Sequence, residues 1–472
     1  MKTDCKTNRM EIQGLGNRQV IGEFNGGDIT SDAGAILLRE INHKLNITNR
    51  FAQCFTDYRN AGKIEHTVEQ LVSQRIFGIA LGYEDLNDHD DLRNDQLIAL
   101  LCEKKDPTGQ DRILERDKGK ALAGKSTLNR LELSESDANA KTAYKKIVHH
   151  PQLIDDLFVD IFMDCHQRAP KQIILDLDAT DDPLHGTQEG RFFHGYYKSY
   201  CYLPLYIFCG DHLLCARLRP SNIDAAKGSV EELEKIIRKI RQRWTKTRIM
   251  IRGDSGFCRE EIMKWCEDNG IDYILGLAKN SRLIEEIKED LVDAHIRYCT
   301  TGRPSRIFHE FEYSTLKTWS RSRRVIAKAE HLYKGSNPRF IVTSISEVEI
   351  DTDEIYEKWY CARGDMENRI KEQQLYLFAD RTSTHRMYSN QLRLYFSSMA
   401  YILYNALRIF GLWATEMAKA QCGTIRVKLM KIGAKIRVTV RKVWISMASG
   451  YPYRELFFQI LEKISSMKIV PV

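Results

Sequence analysis

Two apolar runs, each ending on aspartate, constrain the fold of this chain more than any other feature: Ile173-Ile174-Leu175-Asp176-Leu177-Asp178 and Ile249-Met250-Ile251-Arg252-Gly253-Asp254. Runs of this length and branched content read as buried strands. A carboxylate is costly to bury alone, so two strands that each end on Asp predict a cationic partner where they meet. A third acid in a similar setting is Glu367, within Tyr360-Cys361-Ala362-Arg363-Gly364-Asp365-Met366-Glu367.

The 472 residues exceed one compact core, and about 150 residues per domain implies roughly three domains. Residues 1–30 read as a polar segment, and helical signals fill 31–168: Val68 to Leu81, Asp95 to Cys102, Ser126 to Leu133 and Leu153 to Cys165. Ser31 or Asp32 can cap the first of these helices. The charged stretch Asn87 to Asp91 reads as a solvated loop. After Pro170 the pattern becomes Gln172 to Asp178, Ser199 to Cys209 and Leu213 to Leu218 as strands, the last two joined by a Gly210-Asp211-His212 hairpin. A helix capped by Asp224 follows, then a strand at Arg248 to Gly253, a helix at Arg259 to Asn269 and a strand at Tyr273 to Leu277. The order β-β-β-α-β-α-β over 169–281 predicts an α/β fold with an RNase H-like core. Its mixed five-stranded sheet would be flanked by helices. Residues 282–350 read as a β-rich insertion with strands at Arg306 to Tyr313, Arg323 to His331 and Arg339 to Ile345. Core helices resume over 351–418 and carry Glu367, and 419–472 form a basic C-terminal region.

Composition excludes little. Lys and Arg outnumber Asp and Glu by 71 to 64, a formal +7 that permits a polyanionic partner. The 12 Cys are scattered and no Cys-x2-Cys or Cys-His cluster occurs, which argues against zinc and for reduced thiols in a cytosol. The segment Met1 to Lys6 lacks an apolar signal region, and the apolar stretch Met399 to Trp413 is broken by Asn405 and Arg408, so no membrane span is expected. Singly placed histidines, among them His185, His194 and His212, show no metal-ligand spacing.

Mg²⁺ suits a pocket of carboxylates, and paired ions can clamp the attacking and leaving oxygens of a phosphodiester. On one ideal helix Tyr360, Arg363, Glu367, Lys371 and Gln374 fall within an arc of about 80°. A solvated helix face presents the same mixture, but two upstream strand-end Asp residues favour a site.

On these residues the chain resembles the DDE transposases of bacterial insertion sequences, in the group with a Y-x2-R-x3-E signature (Tyr360, Arg363, Glu367), and within it the IS-thirteen-eighty type. The resemblance also covers Asp178-Ala179-Thr180, His185 to Gly190, Arg252 to Phe257, Glu367 to Lys371 and Val427 to Ala434. It implies Asp178, Asp254 and Glu367 as catalytic ligands of two Mg²⁺ ions, with Mn²⁺ able to substitute. Tyr360, Arg363 and Lys371 would position phosphates. Related groups place a Lys seven residues beyond the Glu, where this chain has Gln374; Lys371 is the alternative carrier of that charge. The implied partners are double-stranded DNA, as transposon ends and target, with the helical region 31–168 as the part that binds the ends, and a second copy of the chain in the DNA complex, with no membrane and no nucleotide cofactor. The implied location is the bacterial cytoplasm, on the nucleoid when DNA-bound. A stand-alone nuclease on the same core and a non-catalytic DNA-binding protein are the rival readings.

Four local features carry two readings each. Asp176 shares a strand face with Asp178, which is preferred as ligand because it ends the run and precedes Thr180. Gly119 to Ser126 matches the P-loop pattern, but the charged residues before it are no buried strand. Ile425 to Trp444 holds seven cations and no acid; Arg426, Lys428, Lys431, Lys435 and Arg437 are expected to meet DNA. The cluster Phe192 to Tyr197 can stack on a flipped base, although core packing is the favoured reading.

Overall fold

In the computed structural model, residues 9–467 are described; Met1 to Asn8 and Lys468 to Val472, parts of the expected segments 1–30 and 419–472, lie outside the described residues. The chain divides into two compact units. Of the described residues, one unit holds 149–405, and the other joins 9–148 to 406–467.

The unit from His149 to Asn405 is built on one mixed sheet. Its strands are β1 (Gln172–Ala179), β2 (Leu205–Cys209), β3 (His212–Arg217), β4 (Arg248–Gly253), β5 (Asp272–Leu277), β6 (Ser305–Tyr313), β7 (Arg323–Leu332) and β8 (Arg339–Thr343). Their spatial order is β3-β2-β1-β4-β5-β8-β7-β6, with the two-residue strand Gly335–Ser336 beside β7. β1, β4 and β5 are mutually parallel, and all other pairs are antiparallel. The expected order of strands and helices is present, with α1 (Pro151–Asp164) before β1, α2 (Ser229–Arg243) before β4 and α3 (Glu260–Asp268) before β5.

Strand alternation explains the two-sided core. Ile173, Leu175, Leu177, Ile249 and Ile251 pack with Phe162, Leu233, Ile236 and Met263 of the helices. Met250 and Ile274 point to the opposite face, with Ile326, Ile341 and Ile355. Leu175 is fully buried, and truncating it to Ala would cost about 2–5 kcal/mol through lost burial and a cavity.

Several expectations are corrected. Ser199 to Cys209 is two strands, because Ser199–Tyr202 pairs with Asp182–Pro183 and Phe192–His194 in a separate sheet. Pro204 separates them: with no N–H to give a ladder, it marks where the chain changes sheet. The strands of 282–350 continue the large sheet, since β8 pairs with β5 and so removes its open edge. A helix the β-rich reading did not include, α4 (Lys288–Thr301), precedes them. Asp224 does not cap α2; Gly228, at φ 82°, holds that position, while Asp224 accepts from Ala226 N–H and pairs with Arg259.

The other unit holds the helices Val68–Leu81, Gln96–Leu101 and Lys125–Glu132 near their expected bounds. Thr67 and Gln70 form a capping box on the first. The unit is not all-helical. Arg9–Leu15 and Arg18–Glu23 form an antiparallel hairpin, and Ile29–Thr30 pairs with Ala434–Val438. The stretch Asn87 to Asp91 is not a solvated loop but a 3-10 turn leading into the short helix His89–Leu92. His89 is wholly buried, 3.0 Å from both Gln74 Nε2 and Arg75 Nη1. Asp32 makes no cap bond and instead pairs with Lys431. A 3-10 turn, Glu115–Asp117, precedes the P-loop match, and Lys125 pairs with Asp90.

Among the described residues no helix is long and apolar enough to cross a membrane.

Candidate active site

Parallel strands present their carboxyl ends at one edge, where open α/β sheets bind ligands. In the β1/β4 register Gly253 lies opposite Leu177, so the next residues, Asp178 and Asp254, are neighbours. In the β4/β5 register Gly253 lies opposite Leu275, which sets Asp254 beside Gly276. A Cβ added at Gly276 would lie 2.5 Å from the Tyr360 hydroxyl and 2.9 Å from Ser255 N. Glycine there is what lets Tyr360 approach the strand ends.

The helix carrying the signature is not regular. Ile355–Tyr360 is a π-helical turn, Cys361–Arg363 a 3-10 turn, and only from Gly364 does α5 (Gly364–Leu377) run as an α-helix. The single-helix arc expected for Tyr360 through Gln374 therefore holds only from Gly364 onward. Such π turns occur often at functional sites. The Trp359 carbonyl accepts from Arg252 Nη1, which ties this turn to β4.

Arg363 is the centre of the cluster. Its Nη2 donates to Glu367 Oε1 at 2.9 Å, and its Nη1 lies 3.7 Å from Asp178 Oδ2. Burial alone would lower its affinity for the proton, but Asp178, Tyr360, Glu367 and Asp254 hold it above the usual arginine value. Asp178 is pushed up to about 7, first by burial and then by Asp254 and Glu367, against the opposing pull of Arg363. Burial also raises Tyr360, with Asp254 adding to it. Asp254 Oδ1 accepts from Gly256 N–H at 2.8 Å, and Asp178 Oδ1 accepts from Ala179 N–H at 2.9 Å.

The neighbouring acid has a different environment. Asp176 is 4% exposed and takes both Nε and Nη2 of Arg252, at 2.5 and 2.8 Å. Gln374 donates to the Asp181 carbonyl and to Asp182 Oδ1, each at 3.1 Å. Lys371 is exposed on α5 and makes no ion pair or hydrogen bond among the described residues.

A cleft of about 450 Å³ opens beside Asp254, lined among others by Ser255, Lys279, Arg339, Tyr360 and Arg363. Lys279 and Arg339 escaped the sequence reading. Lys279 lies two residues past β5 just as Asp254 lies one past β4, so strand ends carried that signal. Arg339 begins β8, and only the pairing of β8 with β5 brings it here.

Among the described residues no group of three or more His, Cys, Asp or Glu side chains is closed up enough to hold a metal ion. The guanidinium of Arg363 stands between Asp178 and Glu367 instead. The donor chemistry nevertheless fits a hard divalent cation: Asp178 and Glu367 flank Arg363, Asp254 and Glu367 both raise Asp178, and a carboxyl raised by burial and like charge gains most from a cation.

In the other unit the basic residues separate into two sets. Arg426 donates to the Ala80 and Ile79 carbonyls at 2.8 and 3.2 Å, satisfying the end of Val68–Leu81. Lys431 lies 2.5 Å from Asp32, which is 1% exposed, and 4.5 Å from the Tyr83 ring centroid. Lys428, Lys435 and Arg437 are exposed. The last two share one face of the hairpin Ala434–Val438/Val443–Met447 with Trp444, which lies opposite Arg437.

A model of transposase DDE domains, group 1, matches residues 12–469. The chain belongs to this family of transposases; DDE transposases generally use divalent metal ions. No curated protein matches it. Among solved structures, the cryo-EM structure of a piggyBac transposase synaptic complex with hairpin DNA is similar at 12% identity and a TM-score of 0.40, over 94% of this chain and 87% of that one.

Proposed function

We propose that this transposase serves a bacterial insertion sequence of the IS-thirteen-eighty type and acts through an RNase H-like core. It binds terminal inverted repeats, cleaves donor DNA by metal-assisted hydrolysis and joins the freed 3′-hydroxyls to target DNA. The observation that carries this reading is the gathering of Asp178, Asp254 and Glu367 around Arg363 at the carboxyl ends of parallel strands.

Asp178, Asp254 and Glu367 are the residues that would hold two Mg²⁺ ions, or Mn²⁺ in their place. Bound there, the ions supply Lewis acidity that activates the attacking oxygen and steadies the leaving one. The pairing of Asp176 with Arg252 supports Asp178 as the first ligand, because Asp176 already has its counter-ion. Arg363 balances Asp178 and Glu367, and its planar fork would serve a phosphate were a cation to take over that balance. Tyr360 and Lys371 fix the same backbone. In the first step water attacks phosphorus, the P–O3′ bond breaks, and the 3′-oxygen leaves as a hydroxyl. In the second, that hydroxyl attacks a target phosphodiester and displaces the target's own 3′-oxygen. Both are in-line displacements, and one pocket serves both.

Lys428, Lys435 and Arg437 meet DNA phosphates, while Arg426 and Lys431 shape the fold that presents them. Two ends must be joined together, so the working complex is a homodimer on DNA, in the cytoplasm at the nucleoid.

The test uses the full chain and a plasmid carrying the inverted repeats that flank its gene. With Mg²⁺, cut ends and products joined to a second plasmid are expected. Nicks without joined products would favour a stand-alone nuclease, and binding without metal-dependent cutting would leave only a DNA-binding protein.

A further inference from the structure

Between Asp182 and Tyr202 the chain leaves the large sheet and forms the small three-stranded one. Core packing is the expectation for Phe192 to Tyr197, but the structure leaves Phe192, Phe193 and Tyr196 41%, 57% and 84% exposed, with Tyr200 beside them at 45%. Large apolar rings are usually buried, and a cluster left in water marks a contact surface.

The rings are ordered with respect to one another. Phe193 and Tyr200 are cross-strand partners with centroids 5.5 Å apart at 73°. The Arg191 guanidinium lies 3.8 Å from the Tyr200 centroid, and its Nε is buried without a hydrogen-bond partner. Tyr196 stands edge-on to Tyr197, at 5.0 Å and 87°. From Arg191 to Tyr202 there are two cations, Arg191 and Lys198, and no acid.

This flap is tied to both carriers of the acidic pocket. The Tyr197 hydroxyl donates to the carbonyl of Ala179, next to Asp178, at 3.4 Å. Gln374, on the helix that carries Glu367, holds the root of the flap through Asp181 and Asp182. Tyr197 and the root of the flap thus link the neighbouring exposed ring of Tyr196 to the strand that carries Asp178.

We propose that this flap is a base-stacking platform. It takes one unpaired nucleotide base next to the phosphodiester being cut, with Tyr196 and Phe193 as ring surfaces and Arg191 and Lys198 on the flanking phosphates. Every base offers a π-face to aromatic rings and guanidinium planes, and Arg191, already stacked on Tyr200, and Lys198 supply positive charge among those rings for a phosphate. The inference rests on the proposed chemistry of Asp178, Asp254 and Glu367, which fixes where the cut phosphodiester lies.

The probe is a labelled duplex carrying the end sequence of the element that encodes the protein, with one extrahelical 2-aminopurine at the cut site, studied with Ca²⁺ as the divalent ion. Anisotropy reads binding, and 2-aminopurine fluorescence reads stacking in the same sample. Wild type is expected to bind and quench. Tyr196→Ala should lose the quench and bind this probe roughly tenfold more weakly, the effect of removing one stacked base, while binding the fully paired duplex as wild type does. Tyr196→Trp should restore the quench. Binding with no quench, or a quench that survives both Tyr196→Ala and Phe193→Ala, overturns the platform and leaves the proposed activity standing. Failure to bind either duplex overturns the proposed activity, and the platform with it.

Discussion

The strand ends that carry Asp178 and Asp254 and the hairpin that carries Lys435 and Arg437 both hold like charges side by side, but they balance them differently. At the strand ends the charges are half-buried, and a cation, Arg363, sits among them. On the hairpin the cations stand in water around an indole: Arg437 and Lys442 lie 5.6 and 5.4 Å from the Trp444 ring centroid. On the proposed chemistry the first arrangement would take a compact cation beside or in place of Arg363. The second needs a long polyanion, because exposed cations are cheap to solvate and gain mainly by displacing counter-ions from DNA.

Asp178→Ala gives the largest effect that would break this contrast. Cleavage should fall by about 10⁴-fold or more, roughly 5.5 kcal/mol of lost transition-state stabilisation, with end binding unchanged in a gel-shift assay. Undiminished cutting would mean the acidic mouth is not where the chemistry occurs.

Next comes Asp176→Ala, on the same strand. It strands Arg252 without its counter-ion in a buried site, and urea denaturation should register a loss of about 3–5 kcal/mol. A variant that melts like wild type yet no longer cuts would exchange the roles of the two aspartates.

On the basic side, reversing Lys435 and Arg437 to Glu should weaken DNA binding and flatten the dependence of log K on log salt by about 0.9 for each phosphate no longer neutralised. Lys431→Ala should instead lower stability and leave that slope alone, since its partner is Asp32. Equal slopes in all variants would remove the hairpin from the DNA interface.

The smallest effect concerns an acid with no cation. Burial holds Asp182 well above the usual carboxylate range, with Asp380 and Asp181 adding to the rise and the bond from Gln374 opposing it. A raised folded-state value favours the fold at pH below the unfolded carboxyl value, and that contribution is lost as pH rises through the folded value. Asp182→Asn, neutral throughout, should melt higher than wild type at about pH 8, by about 2–4 °C per kcal/mol regained, and converge with it toward about pH 4. A pH-independent difference would show that Asp182 does not titrate in the fold.

The legible parts of this protein were those with a strong local period. The strands at Gln172 and Arg248, the helix Val68–Leu81 and the three strands after Ser305 follow from apolar spacing alone. What escaped depended on partners remote in sequence. Nothing near Arg426 indicates that it will cap carbonyls at Ile79 and Ala80. The exposure of Phe193 and Tyr196 likewise depends on which sheet Ser199–Tyr202 joins, a choice made where Pro204 interrupts the ladder.

By itself the sequence determined the parallel strands and the acids at their ends, because burial of branched side chains and the cost of a lone carboxylate act over a few neighbouring residues. Only the tertiary structure decided which charges meet. It gave Arg252 to Asp176 and Arg363 to Asp178 and Glu367, and it left Lys435 and Arg437 to the solvent. Electrostatic partnership is set by distances of a few ångström between elements tens or hundreds of residues apart, and no local pattern records those distances.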